Sequence, residues 1–396
     1  MSVTSLQAPE EQADARPRTM VRFDPLLMVA ALGLVACSLI TLHGATRTSI
    51  PGKPLYYVER QGIYVAIGLV VAFLLSRFDY SRLREYKFGL YALLIGSNLL
   101  VLGMASATRG SRRWISLPFF QVQPSEFGKV LLITALAGFV VDRSRRIHEW
   151  NTTARIMLLA LGPAALVIVQ PDLGTGMVFV AVAFTLLFVA GTSWKQLTAL
   201  VAMFAASIAL VLAAAPAVGV HVLKPYQVQR LTGFLSPSHD VRNQTYQITQ
   251  SIVAIGSGQK TGRGTANASQ TALHFLPESQ TDFIFAVVGE TYGFVGAALV
   301  LSLYALMIWR GLRILTMSKN LYGALIADGI LSMLMFQVFV NVGMTVGIMP
   351  ITGVPLPLMS YGGSSVLVTF IALGLLQSIH IQARIATAGK ARTLLS

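Results

Sequence analysis

The feature that most restricts this chain is a series of ten apolar stretches, each long enough to cross a lipid bilayer as a helix. A helix needs about 20 residues to span the hydrocarbon core. The stretches are residues 25–43, 61–76, 88–104, 126–141, 154–170, 173–190, 195–215, 282–309, 320–349 and 362–382. Only 12% of the residues are charged, whereas soluble domains carry about 25%. The sequence therefore predicts an all-α, polytopic membrane protein with ten transmembrane helices.

Basic residues are distributed unevenly among the segments that join these stretches. If the N-terminus is inside, the cytoplasmic segments hold eighteen Lys or Arg, whereas the short outer loops 44–60 and 105–125 together hold six. Cytoplasmic loops of membrane proteins carry such an excess. We therefore predict that both termini are cytoplasmic. The net charge of +14 is then mainly a signal of topology, and we expect no nucleic-acid partner.

The chain divides into three parts. Residues 1–24 lack an apolar period and are predicted to be a disordered cytoplasmic tail. Residues 25–385 form the membrane domain, and residues 386–396 a second cytoplasmic tail. One long extracytoplasmic loop, residues 216–281, separates the seventh and eighth helices.

Two amphipathic helices are predicted inside this long loop. Ile248, Ile252 and Ile255 recur at helical spacing beside polar residues, and we expect this helix to lie on the membrane surface. Tyr226, Leu231 and Phe234 indicate the second one. Loops of this length are functional or disordered, and the amphipathic pattern favours function.

Two charged residues of the fourth stretch fall inside the membrane. Glu126 and Lys129 are three residues apart, so they share a helix face and can pair. Ser125 is predicted to cap this helix. Charges inside a membrane face one another or a cavity. The pair therefore either joins helices or serves a functional site, and the pattern alone leaves both open.

Four acidic residues have structural and functional interpretations. Asp282 begins the eighth stretch, where an aspartate commonly caps the helix and interacts with its dipole. Asp172, between the fifth and sixth stretches, is interpreted as a turn or cap residue rather than a catalyst. Glu290 and Asp328 lie deeper and could be structural partners or part of a polar cavity.

The segment from Asn341 to Ser365 combines prolines and glycines at the surface of the membrane. Irregular backbone is tolerated there only where protein or a water-filled cavity surrounds it. Gly362 and Gly363, followed by Ser364, would present free N–H groups at a helix start, which is a natural anion site. Ser360 and Tyr361 directly precede them. The six histidines show no metal-ligand spacing, so no metal site is predicted.

Four blocks of this sequence together resemble a known family, the SEDS proteins (shape, elongation, division and sporulation), which include RodA and FtsW. The blocks are Gln123-Pro-Ser-Glu-x-x-Lys129, Gln170-Pro-Asp-Leu-Gly-Thr175, Thr281-Asp-Phe-Ile-Phe285 and the run Asn341–Ser365. The likeness extends from about residue 25 to residue 385. Gly347–Pro350 and Gly353–Pro357 look more like RodA than FtsW.

This resemblance implies a peptidoglycan glycosyltransferase of the bacterial cytoplasmic membrane that polymerises lipid II during cell elongation. Its implied partners are a class B penicillin-binding protein, the transpeptidase, and other membrane proteins of the elongation complex. The family needs the aspartate that is Asp282 here, and the family's Glu and Lys correspond to Glu126 and Lys129. Two positions depart from the family pattern: Gln280 replaces a common histidine, and Thr291 replaces a frequent second glutamate.

The outer surface of the membrane has no nucleotide-sugar supply, so a donor there must arrive activated on a lipid-linked pyrophosphate. Asp282 would act as general base. Lys129, Arg112 and Arg113 would stabilise the leaving pyrophosphate, and a divalent cation, Mg²⁺ or Mn²⁺, could assist. The alternatives are a lipid II flippase or transporter, an FtsW-type division polymerase, and a catalytically silent scaffold. A transporter would need polar groups spread through the membrane.

Overall fold

The computed structural model describes residues 23–47, 50–104, 113–116, 120–210, 244–273, 275–276 and 278–393. Seven helices precede the long loop: α1 Pro25–Thr46, α2 Tyr56–Arg77, α3 Lys87–Met104, α4 Pro124–Asp142, α5 Trp150–Val169, α6 Leu173–Val189 and α7 Trp194–Ala209. The remaining helices are α8 Gln244–Gly258, α9 Gly264–Asn267, α10 Ser269–Ala272, α11 Ile284–Met317, α12 Leu321–Thr345 and α13 Gly363–Thr393. Short 3₁₀ helices lie at Tyr80–Arg84 and Ser144–Arg146.

Each of the ten apolar stretches contains a long helix in the described part of the chain. Seven of these helices are long and apolar enough to cross a membrane, and α3, α6 and α7 are shorter apolar helices. The chain is therefore a mostly helical, multi-pass membrane protein. One small exception to the all-α prediction is an antiparallel ribbon of two strands, β1 Ile115–Ser116 and β2 Gln121–Val122, just before α4.

The centre of the bundle consists of α4, α12 and α13, whose apolar segments are 78–83% buried, whereas that of α2 is only 28% buried. α2 packs along α13, α3 along α4, and α1 along α11. A helix that is apolar on all sides is buried by neighbours or by lipid. The burial values therefore separate the protein-covered helices from those that face the membrane.

α11 is bent at Gly293, which has the helix-breaking angles φ 62° and ψ −157°. Only glycine adopts this backbone at low cost. The bend frees backbone groups that the turn following α8 satisfies. Phe294 N donates to Gln259 O at 2.8 Å, and Arg263 N donates to Glu290 O at 2.9 Å. The eighth stretch is thus two helical segments joined at a kink, which the sequence did not predict.

The loop helix α8 contains the isoleucines at helical spacing. Ile248 is buried and Ile252 is exposed. Ser251 Oγ donates to Thr345 O at 2.7 Å, and α8 packs against α11 and α12. Ile248 therefore packs on protein whereas Ile252 stays exposed, and contact of α8 with the membrane surface stays a prediction. The second predicted helix, around Tyr226, Leu231 and Phe234, lies outside the described residues.

The structure describes the end of the predicted N-terminal tail, which packs on the membrane domain, and part of the predicted C-terminal tail. Asp24 is fully buried and caps α1 by accepting from Leu27 N at 3.0 Å. Its carboxylate also accepts from Arg310 Nε at 2.9 Å. A buried carboxylate needs such a partner, so the ordered domain includes Asp24. At the other end, α13 continues to Thr393, so residues 386–393 of the predicted cytoplasmic tail are helical.

Candidate functional site

Asp282 lies in the turn that precedes α11. The helix begins at Ile284 with Phe283 at the N-cap position, so Asp282 lies one residue before the cap position. Asn341 Nδ2 of α12 donates to Asp282 O at 2.9 Å and to Val354 O at 2.8 Å. Since Asn341 is fully buried, one amide anchors both the main chain of Asp282 and the loop that follows α12.

The Asp282 carboxylate lies against this loop at Gly353. Gly353 has φ +71°, and a Cβ built there would be 3.5 Å from Asp282 Oδ2. A left-handed backbone costs most residues about 1–2 kcal/mol. Glycine therefore keeps the loop in this conformation and leaves room beside a half-buried carboxylate.

Ser360 and Tyr361 run beside the segment that carries Asp282. Ser360 Oγ donates to Thr281 O at 2.6 Å, and Tyr361 N donates to Gln280 O at 2.9 Å. Burial raises the pKa of the Tyr361 phenol above its ordinary value, so it stays protonated at neutral pH. The two predicted residues thus position the backbone next to the carboxylate.

The start of α13 has packing contacts that the sequence did not predict. Gly362 N is 3.4 Å from Gln61 Oε1 of α2. A side chain at Gly363 would overlap the Phe120 ring. Ser364 Oγ donates to Gln121 O at 3.0 Å. Close packing therefore explains why small residues occupy these positions. An anion site at this helix start stays a prediction.

Asp172 is at the centre of a buried polar network that joins α4 and α6. Its Oδ1 accepts from Thr175 N at 3.2 Å, so the predicted cap is confirmed. Its Oδ2 accepts from Gln123 Nε2 at 2.8 Å and from Ser125 Oγ at 3.0 Å. The predicted cap at Ser125 is wrong, because Gln123 holds the N-cap position and Ser125 lies inside the helix.

This network lies beside the loop that contacts Asp282. A side chain at Gly174 of α6 would overlap Val354 and approach Thr352 O at 2.8 Å. The start of α6 therefore touches the same loop that Asn341 ties to Asp282. The structure thus brings together Asp172, the loop after α12 and Asp282, which are far apart in sequence.

Glu126 and Lys129 form the predicted ion pair. Lys129 Nζ is 2.5 Å from Glu126 Oε1, and both side chains are at most 4% exposed. Glu126 Oε2 is buried and has no hydrogen-bond partner in the described structure. An unpaired buried oxygen costs about 1–3 kcal/mol, so this pair retains an acceptor that a ligand could use.

Of the two predicted outer-loop arginines, the structure describes only Arg113. Its guanidinium approaches the buried Asp172, with Arg113 NH1 at 4.0 Å from Oδ1, and the side chain is 27% exposed. Arg113 Nε has no partner in the described structure. Arg113 therefore lies at the polar network, whereas Arg112 lies outside the described residues.

The two deeper acids have different surroundings. Glu290 Oε2 accepts from Thr271 N at 3.0 Å and from Thr271 Oγ1 at 2.6 Å, and Oε1 accepts from Gln270 N at 2.8 Å. Glu290 is therefore a structural partner that holds α10. Asp328 is buried in α12, and its Oδ2 has no partner among the described residues.

No group of three or more His, Cys, Asp or Glu side chains in the described residues could hold a metal ion. A metal centre built from a cluster of such side chains is therefore not found among the described residues.

Three polar residues of the site had no predicted role. Asn341 holds Asp282, Gln123 binds Asp172, and Gln61 Nε2 donates to Ser360 O at 3.2 Å. All three are buried. A polar residue within an apolar stretch is costly and therefore informative. That signal was available for Gln61 and Asn341, but their partners are distant in sequence.

Comparison with known proteins extends over nearly the whole chain. The family model FTSW_RODA_SPOVE, described as "Cell cycle protein", matches residues 21–385. A protein of Thioalkalivibrio sulfidiphilus named "Probable peptidoglycan glycosyltransferase FtsW" is 36% identical, over 96% of this chain and 95% of its own length. The "Peptidoglycan glycosyltransferase MrdB" of Escherichia coli strain K12 is 34% identical, over 91% and 94%.

A solved structure gives the same result for the fold. It is described as "Structural coordination of polymerization and crosslinking by a peptidoglycan synthase complex", and its matching chain is 31% identical. The TM-score is 0.75, with 91% of this chain and 98% of that chain covered. The chain therefore belongs to the FtsW/RodA/SpoVE family of cell cycle proteins, which is the family that its sequence blocks resemble.

Proposed function

We propose that this protein is a peptidoglycan glycosyltransferase that polymerises lipid II at the outer face of the bacterial cytoplasmic membrane. The observation that carries the proposal is the position of Asp282. Its carboxylate lies beside Gly353, and buried Asn341 fixes its backbone. Such a rigidly supported carboxylate suits a general base. Family membership and the names of the relatives support the same activity.

The topology is part of this proposal. We infer that all ten apolar helices cross the membrane, with both termini cytoplasmic, because of the uneven distribution of basic residues. α4, α6 and α13 then begin at the outer surface, together with the turn before α11. The site then faces the outer side of the membrane. Because no nucleotide sugar is available there, its donor must be a lipid-linked sugar.

In the proposed reaction, Asp282 accepts the proton of the acceptor sugar's 4-hydroxyl. The freed oxygen attacks the anomeric carbon of the donor with inversion, and the bond to the lipid pyrophosphate breaks. A positioned general base contributes about 10²–10⁴-fold to such a step. Asn341 and Ser360 act as positioning residues, because they hold the main chain on either side of the carboxylate.

The leaving pyrophosphate needs positive charge. Two described residues near the starts of α4 and α6 carry it. Lys129 is paired with Glu126, and Arg113 lies near Asp172. Arg112 and the Gly362–Ser364 helix start complete the proposed substrate contacts. We assign no protein site to a divalent cation, so any Mg²⁺ or Mn²⁺ would arrive with the pyrophosphate.

The described acids favour a polymerase over a lipid II flippase or transporter. A transporter would need polar groups along its path, but Glu290 is occupied by hydrogen bonds from Gln270 and Thr271. Of the acidic residues that the sequence pattern places deep in the membrane, this leaves Asp328 for a transport path. The polar side chains described above otherwise gather where α4, α6 and α13 begin.

We further propose a class B penicillin-binding protein and other membrane proteins of the elongation complex as partners. The peptidoglycan synthase complex with a similar chain supports an assembly of this kind. The resemblance of Gly353–Pro357 to RodA favours a role in elongation. The relatives named FtsW and MrdB differ little in identity, at 36% and 34%, so a division role is the alternative.

The proposal is tested with purified protein and its cognate transpeptidase in vesicles that contain fluorescent lipid II. We expect glycan strands on a gel and no protein-dependent movement of lipid II between leaflets. A control omits the protein and keeps the transpeptidase. Translocation without polymer would support the flippase instead.

Thiol labelling tests the proposed topology. In a Cys37→Ala background, which removes the single cysteine, Ala266→Cys should react with a membrane-impermeant reagent in intact cells or spheroplasts. Thr316→Cys should react only after lysis. Both positions are exposed, in α9 and near the end of α11. Labelling of the Thr316 position from outside would show that the topology is the reverse of the one proposed, with Asp282 on the cytoplasmic side.

Gly353→Ala should lower polymerase activity at least tenfold, because the new methyl group enters the space beside Asp282 Oδ2. The positive φ adds strain of about 1–2 kcal/mol. Gly52→Ala is the matched control, since Gly52 has φ +77° but nothing within 4 Å of its Cβ position. Equal activity of the two variants would show that the space beside Asp282 does not matter and that Gly353 is needed only for its backbone conformation.

A further inference from the structure

A crevice between α1 and α11 is separate from the site described above. Its volume is about 400 Å³ and its lining is largely apolar. Ile40 of α1 and Val295 and Leu299 of α11 line it, and each is more than half exposed. The crevice therefore opens sideways onto a surface that a bilayer would cover.

One end of the crevice is closed by the turn that completes the kinked helix. Thr261 of this turn lines the crevice. Val295 N donates to Lys260 O at 3.1 Å, so the turn is fixed to α11 next to the lining residues. The lining residues of α11 run from Val288 to Val300, on both sides of the kink at Gly293. The crevice is thus elongated along both segments of α11, a shape that suits an acyl chain.

Three exposed cations belong to the segments next to this end, and Arg263 Nε also donates to Ser257 O at 3.0 Å. Lys260 and Arg263 belong to the turn, and Arg47 ends α1. A side chain at Gly44 of α1 would overlap Thr265, so the end of α1 adjoins the segment that follows the turn. Neither residues 37–47 nor residues 256–264 contain an Asp or Glu. An apolar crevice with positive charge at one end complements an anionic lipid.

We propose that this crevice binds an anionic phospholipid, with one acyl chain between α1 and α11 and its phosphate on Arg47, Lys260 and Arg263. Basic residues near a membrane surface attract anionic headgroups, and each contributes about fivefold to affinity. A bound phosphate would also hold the turn on the kink at Gly293. The lipid would therefore stabilise the helix that begins just after Asp282.

The experiment uses the purified full-length protein in nanodiscs and two photoactivatable phospholipids with identical diazirine chains. One is a phosphatidylglycerol and the other a phosphatidylcholine. We expect at least fivefold more crosslinking to phosphatidylglycerol. The double variant Lys260→Gln/Arg263→Gln should lose most of this preference, by about 25-fold in affinity if the two contributions multiply. The control Lys53→Gln/Lys195→Gln removes two exposed cations elsewhere and should keep it.

A second variant tests the chain site. Val295→Trp should fill the crevice and reduce crosslinking of both lipids about tenfold, whereas Leu312→Trp, on the exposed surface of the same helix, should not. Equal crosslinking of both lipids by the unmodified protein would overturn the proposal, as would no effect of the Lys260/Arg263 variant. Displacement of phosphatidylglycerol by equimolar polyprenyl phosphate would also overturn it and assign the crevice to an isoprenoid. None of these readouts requires polymerase activity.

Discussion

Replacing Asp282 by asparagine should lower glycan polymerisation by about 10²–10⁴-fold, the contribution of a positioned general base. Asparagine keeps the size of the side chain and removes its basicity. Asn341 holds the main-chain oxygen of Asp282, and this anchor of the turn is retained when the carboxylate becomes an amide. We therefore expect the free energy of unfolding to change by less than about 1 kcal/mol. Polymer yield and thermal unfolding of the purified variant measure the two effects.

The matched control is Glu59→Gln, which neutralises an exposed carboxylate at the start of α2. This variant should polymerise like the unmodified protein. An Asp282→Asn variant that retains activity within a few-fold of the unmodified protein would exclude Asp282 as the base. A loss of activity together with unfolding would instead indicate a structural role.

Lys129→Met should destabilise the protein by about 3–5 kcal/mol, because it leaves the Glu126 carboxylate buried without its partner. Adding Glu126→Gln removes the unpaired charge and should restore most of that stability. If Lys129 binds the pyrophosphate, the folded double variant should still be inactive, with polymer yield reduced at least 100-fold. Thermal unfolding and polymerisation of both variants separate the two roles.

Recovery of activity in the double variant would make the pair purely structural. The control is Arg146→Gln/Glu149→Gln, which removes an ion pair whose side chains are more than half exposed. Exposed pairs contribute about 0–1 kcal/mol. This variant should therefore change neither stability nor activity, and an equal loss in it would point to a general effect of charge removal.

Sequence patterns predicted the long helices well because apolar length is a local property. All ten apolar stretches contain helices, and the spacing of Glu126 and Lys129 predicted their contact. The kink at Gly293 was missed, because the eighth stretch contains three glycines, Gly289, Gly293 and Gly296, and its composition does not show which of them, if any, breaks the helix. What stabilises the kink is a turn more than thirty residues earlier in the chain, and local spacing carries no information about it.

The candidate site shows the same division between local and distant information. Its members could be recognised in the sequence because acidic side chains and irregular backbone are energetically unfavourable in a membrane, so their presence there indicates a function. Their connections were not predictable from spacing. Asn341 reaches Asp282 across 59 positions, and Gln123 reaches Asp172 across 49. Ser125 is an example of a residue whose role was predicted wrongly for this reason. Its sequence context predicts a helix cap, but in the structure its hydroxyl donates to Asp172.

The most direct test of the central claim is the stoichiometry of the reaction. The purified protein with its cognate transpeptidase is supplied with radiolabelled lipid II, and glycosidic bonds and released polyprenyl pyrophosphate are counted over time. We predict one pyrophosphate for each new bond, and neither product with the Asp282→Asn variant. Unchanged lipid II after incubation with the active complex, or strands formed equally well by the Asp282→Asn variant, would contradict the account.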